Sequence, residues 1–277
     1  LNLLPFRYFT FKDPQAQDQV RSIVTTDGEN IWLGTAKYGF YKFNIRSNVT
    51  QTIHFDNEQS PYNSHRSIYA DQHNIWLGTL GGALRLNTRN PNASPKEING
   101  SAVFAFLKDS RGNLWLGTNF GLYQLKPDGD WVRYTHNEKD PRSLSAAFVR
   151  SIYEDHNGLI WVGFETSGLS YLNPATGQFT RITRNARGEE VSGNIIFSLL
   201  EYPAGVIWAG SESGLNKISF SKNNSGQYHY SIKNFGEANG LSDKSVNGIL
   251  ADNKGFLWIG TIKGLLRFDI RNERFRN

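Results

Sequence analysis

Glu165 and Glu212 each stand four residues after a tryptophan, in the runs Trp161-Val162-Gly163-Phe164-Glu165 and Trp208-Ala209-Gly210-Ser211-Glu212. Carboxylates in matching turns of adjacent repeats could act as the acid and base of a glycoside hydrolase, where their separation sets the stereochemical outcome. They serve equally as plain ligand contacts. Arg21, Arg66 and Arg150 share one aligned position with Phe104, Phe197 and Asn247, ten or eleven residues before a tryptophan. Guanidinium groups bind planar oxyanions through paired hydrogen bonds, so three at one level suggest a cationic collar for a carboxylate or sulfate. The competing reading pairs each arginine with a local acid.

Other chemistry is sparse. The six histidines, His54, His65, His73, His136, His156 and His229, show no i, i+4 or repeated spacing, which argues against a metal cluster. With no cysteine in the chain, disulfides, thiolate zinc sites, iron–sulfur clusters and thiol nucleophiles are all excluded. Phosphate loops, serine elbows and nucleotide fingerprints are absent. The sequence therefore predicts no catalytic residue, metal or cofactor.

The elements that must position these side chains are repeats. Six of the seven tryptophans lie in one motif: Ile31-Trp32-Leu33-Gly34-Thr35, Ile75-Trp76-Leu77-Gly78-Thr79, Leu114-Trp115-Leu116-Gly117-Thr118, Ile160-Trp161-Val162-Gly163-Phe164, Ile207-Trp208-Ala209-Gly210-Ser211 and Leu257-Trp258-Ile259-Gly260-Thr261. Their intervals of 44, 39, 46, 47 and 50 residues match a four-stranded propeller blade. A strand precedes each motif, as in Val149 to Glu154, across a turn such as Asp155-His156-Asn157-Gly158. In such a turn Asp bonds its own backbone and Gly supplies positive φ. A third strand follows, as in Gly121 to Leu125, and a fourth, outer one appears at Thr52 to Phe55, Trp131 to Tyr134 and Phe179 to Ile182.

The expected fold is all-β: one propeller domain over 1–277, of six four-stranded antiparallel blades a to d, with almost no helix. Phe6 to Phe11 reads as a spare outer strand able to complete the last blade, although Arg274 to Arg276 already starts one there. That redundancy, and a chain that contains no Met at all, point to a piece of a longer protein, with a ring of six blades or of seven.

In this strand order the b-to-c turns open around the channel mouth, where loops carry recognition. They read Ala36-Lys37-Tyr38, Leu80-Gly81, Asn119-Phe120, Glu165-Thr166-Ser167, Glu212-Ser213 and Ile262-Lys263. Tyr38 and Phe120 offer aromatic faces, while Asn119, Glu165, Glu212, Asn247 and Lys263 offer polar groups, a mixture suited to an oligosaccharide or similar small ligand. The tryptophans read as packing between blades and the motif glycine as a site of close approach. A net charge of +5 over 277 residues, without a Lys/Arg run, gives no nucleic-acid footprint, and no apolar stretch is long enough to cross a membrane.

The run from Asp109 to Leu122, repeated from Asp252 to Leu265, resembles the two-component regulator propeller repeat. That resemblance implies the periplasmic sensor region of a bacterial hybrid histidine kinase or related receptor. It would bind a saccharide without turning it over, pair as a homodimer in the full-length receptor, and reach the membrane only through segments downstream. The alternatives are a propeller lyase or glycosidase and a passive protein-interaction scaffold.

Overall fold

The computed structural model describes residues 19–25, 27–37, 39–53, 55, 60–71, 73–87, 96–98, 100–185, 187–222 and 228–276. The expected Phe6 to Phe11 strand, Tyr38 and His54 lie outside the described residues. Backbone contacts divide the chain into two compact units, 1–103 and 104–277.

Every sheet is a blade of four antiparallel strands in chain order, and six such blades make up a β-propeller fold. Blade 1 comprises β1 (Val20–Thr25), β2 (Asn30–Thr35), β3 (Phe40–Asn44) and β4 (Val49–Ile53). Blade 2 comprises β5 (His65–Ala70), β6 (Asn74–Thr79), β7 (Ala83–Asn87) and β8 (Lys96–Ile98). In blade 3 these are β9 (Val103–Lys108), β10 (Leu114–Thr118), β11 (Gly121–Leu125) and β12 (Trp131–Tyr134). Blade 4 holds β13 (Val149–Glu154), β14 (Ile160–Phe164), β15 (Leu169–Asn173) and β16 (Gln178–Ile182). Blade 5 holds β17 (Ile196–Glu201), β18 (Val206–Ser211), β19 (Gly214–Lys222) and β20 (Tyr228–Phe235). Blade 6 holds β21 (Val246–Ala251), β22 (Phe256–Thr261), β23 (Gly264–Asp269) and β24 (Arg274–Arg276). Two single-turn 3-10 segments, Pro61–Asn63 and Glu237–Asn239, are the only helical turns among the described residues. The outer strand expected at Thr52 to Phe55 begins earlier, at Val49, because it pairs from Val49↔Asn44 to Ile53↔Phe40 across a tight turn.

Within each unit the core lies between successive blades. Trp115 packs with Val149, Ile160 and Phe179 of the next blade, Trp161 with Ile196 and Phe220, and Trp208 with Val246, Leu257 and Phe268. In the first unit Trp32 packs with Ile75, Leu77 and Leu84. Burial of a large apolar side chain of this kind contributes about 1.5–3 kcal/mol.

The motif glycine is what lets the blades close up. A Cβ on Gly163 would stand 2.7 Å from Ile196, on Gly117 2.7 Å from Val149, and on Gly34 2.8 Å from the Cβ of His65. In each case the neighbour is the first residue of the next blade's inner strand. On the glycine's own blade, Ser151 of the inner strand fastens the Gly163–Ile196 junction: its Oγ donates to the carbonyl of Ile196 at 2.9 Å.

Five of the six motif tryptophans, all but Trp32, are also anchored at their polar edge. Asp109, Asp155 and Asp252 accept the indole N–H of Trp115, Trp161 and Trp258 at 2.8, 2.9 and 3.1 Å, from six residues away. The other carboxylate oxygen holds the turn, as where Asp155 accepts from the amides of Asn157 and Leu159. In blade 5 the carbonyl of Tyr202 replaces the aspartate, accepting from Trp208 at 2.6 Å. The Asp71 carboxyl titrates below its usual value: burial pushes it up, but the amides of His73 and Asn74, the Asn74 side chain and the Trp76 indole outweigh that effect.

Candidate functional site

The aligned position shared by the three arginines is a β-bulge. Pairing of inner strand with Trp strand slips by one residue between Val20 and Ser22, His65 and Ser67, Val149 and Ser151, Ile196 and Ser198, and Val246 and Gly248. The extra residues are Arg21, Arg66, Arg150, Phe197 and Asn247. A bulge re-aims its side chain away from the ladder, and bulges recur beside functional sites. The sequence alignment finds this position, but a one-residue slip leaves no mark in spacing alone.

Arg21 is exposed and donates to Gln19 Oε1 at 2.8 Å, and Arg66 is half-buried; both belong to the first unit. Arg150 belongs to the second unit and is the most fully built of the three. Its Nε donates to the Glu165 carboxylate in the b-to-c turn of its own blade. Its guanidinium carbon lies 5.7, 5.6 and 5.6 Å from the ring centres of Phe104, Phe148 and Phe197, a cation held among three π faces. The side chain keeps 30% of its surface exposed, and its two Nη groups donate to no acceptor among the described residues.

The other b-to-c turn residues divide into committed and open groups. Glu212 is committed: Oε1 accepts from the amide of Asn194 at 2.7 Å and Oε2 from that of Ile195 at 2.9 Å, so it pins the connection entering blade 5. Lys263 donates to the Ser242 carbonyl at 3.2 Å, and the Asn247 side-chain oxygen accepts from Ser245 at 3.1 Å. Phe120 is exposed, and its carbonyl accepts from Arg133 at 2.8 Å. Beside it the side-chain oxygen of Asn119 is buried without a hydrogen-bond partner among the described residues. The turns themselves are closed by the motif threonine or serine, as Thr118 Oγ1 donates to Gly121 at 2.9 Å and Ser211 Oγ to Gly214 at 3.0 Å.

Among the described residues no group of three His, Asp or Glu side chains could hold a metal ion. No helix there is long and apolar enough to cross a membrane.

Residues 97–120, 143–166 and 240–263 match the family described as Two component regulator propeller. Histidine kinase P4 of Formosa agariphila is 26% identical over 269 residues, which is 91% of this chain and 19% of that protein. The extracellular domain of BT4673 from B. thetaiotaomicron, assigned to a hybrid two component system, is 25% identical with a TM-score of 0.54. That match covers 93% of this chain and 37% of the solved one. The chain thus spans about a fifth of the curated relative and over a third of the solved one. Virginiamycin B lyase from Staphylococcus aureus shares the fold, at TM-score 0.70 and 11% identity over 96% of this chain and 86% of its own.

Proposed function

We propose that this chain, a member of the two component regulator propeller family, is the ligand-sensing part of a bacterial signalling receptor and works outside the cytoplasm, in the periplasm. It binds an oligosaccharide at the b-to-c turn end of its blades. The resemblance to extracellular and kinase proteins of two-component signalling supports the sensor role. The observation that carries the ligand site is Arg150: a guanidinium fixed by Glu165 and three phenylalanine rings, with both Nη groups left to face an oxyanion. Asn119 adds an acceptor whose donor no described residue supplies, Phe120 an exposed ring for a sugar face, and Asn247 and Lys263 further polar groups. Arg21 and Arg66 offer the equivalent bulge positions of the first unit.

Binding is favoured over turnover because the two candidate acids are occupied. Glu165 is paired with Arg150, and Glu212 serves two backbone amides, so neither presents a free carboxyl for proton transfer.

The test is Arg150→Gln, measured against neutral, uronic-acid and sulfated oligosaccharides. Loss of a bidentate contact should weaken binding of an acidic ligand by about 1.5–3 kcal/mol. Unchanged affinity for every sugar, or release of cleaved sugar, refutes the reading.

A further inference from the structure

Blade 5 breaks the repeat in three places, and all three border one cleft. Its first turn lacks the aspartate and passes through Tyr202 to Gly205. Its third and fourth strands run nine and eight residues, where those of the other blades run three to six. The connection entering the blade folds along the outer edge of β20, where the Asn185 amide donates to the Tyr230 carbonyl at 3.3 Å and Glu189 accepts from the amide of Ile232 at 2.9 Å. Trp208 stays buried, its indole N–H accepted by the Tyr202 carbonyl of the altered turn, and Phe220 of the lengthened hairpin packs on Trp161.

The cleft so formed has a volume of about 730 Å³ and lies at the end of blade 5 away from Glu212. Cross-strand pairs Ser219↔Ser231 and Ser221↔His229 set three hydroxyls and an imidazole in one row on the lengthened hairpin. Opposite, Arg187 lines the cleft with no hydrogen bond or ion pair of its side chain among the described residues. Charges around it are spent: Arg184 on Glu190, Lys217 and Lys233 on Glu273, and Glu189 on Asn185 and Ile232.

We propose that this cleft is a second binding site, for a saccharide bearing carboxylate or sulfate groups. The serine hydroxyls and His229 exchange hydrogen bonds with sugar hydroxyls, while Arg187 takes the anionic substituent through its fork of donors. This goes beyond the turn-end site, shares no residue with it and stands or falls separately.

Calorimetric titration with a galacturonic acid trisaccharide, a sulfated galactose trisaccharide and neutral galactotriose tests it on the whole chain. An acidic probe should bind and the neutral one bind at least tenfold more weakly. Made in an Arg150→Gln background, which silences the turn-end site, Arg187→Gln should weaken the remaining acidic-probe binding at least tenfold and His229→Gln several-fold, with melting temperatures unchanged. Failure of both acidic probes to bind, or equal affinity in Arg187→Gln, overturns the proposal. Loss of binding in Arg150→Gln with none in Arg187→Gln also overturns it, while sustaining the turn-end site.

Discussion

The indole N–H of Trp161 donates to the Asp155 carboxylate at 2.9 Å, so one side chain ties the a-to-b turn of blade 4 to the residue that fills the gap between blades. The same oxygen pair also holds two turn amides, which makes the aspartate a joint between local and tertiary structure.

Replacing it should therefore cost more than replacing a turn residue. Asp155→Ala leaves a buried indole N–H without an acceptor, and a loss on the order of 1–3 kcal/mol is expected beyond the turn itself. Asp27→Ala is the control, because Asp27 holds only its exposed turn and Trp32 has no partner for its N–H among the described residues. Urea denaturation of the two variants should rank them clearly.

Glycine at the blade junctions predicts a second asymmetry. In Gly163→Ala the new methyl meets Ile196 at 2.7 Å and the blades must part, at a cost of about 1–3 kcal/mol. Gly260 occupies the same place in blade 6, yet its nearest contact is Gly248 at 3.8 Å, so Gly260→Ala should stay within about 0.5 kcal/mol of the parent. Equal losses in thermal denaturation would contradict the close-approach account.

His65 makes stability depend on pH. It fills the seat taken by valine or isoleucine in other blades, between Phe40 and Phe55, and neither ring nitrogen has a partner among the described residues. Burial lowers its pKa from 6.5 to about 3. The folded pKa lies below the unfolded one, so the unfolded chain takes up the proton first. The contribution is constant above pH 6.5, and stability falls as pH drops from 6.5 towards 3, by at most about 1.4 kcal/mol per pH unit. His65→Val should flatten that acid limb in denaturation curves collected between pH 4 and 7.

Glu212 should behave as a structural rather than a ligand residue. In Glu212→Ala the amides of Asn194 and Ile195 lose a charged acceptor, a destabilisation of about 1.5–3 kcal/mol. Hydrogen exchange at those two amides should accelerate while oligosaccharide affinity stays at the parent value.

Much of the scaffold was legible because its signals are local. Six Trp-x-Gly motifs set the blades, and the strands Val20 to Thr25, Trp131 to Tyr134 and Arg274 to Arg276 stand where alternation and turn residues put them. The aspartate six residues before its tryptophan was visible in three repeats, yet its bond to the indole depends on how the turn curls. His65 in a column of valines was likewise open to inspection. The fates of Glu165 and Glu212 were not. Both follow the same motif, but one meets an arginine thrown forward by a bulge and the other meets two amides of an incoming loop, and neither partner is fixed by spacing.

The glycine seat recurs at successive junctions, Gly117 against Val149, Gly163 against Ile196 and Gly210 against Val246, and each blade leans on the one beside it. Energetically such a stack is a one-dimensional chain, whose stability is a sum of intrinsic blade terms and nearest-neighbour couplings. A lesion at the Gly163–Ile196 seat therefore weakens one coupling, and its damage fades with each blade away from it.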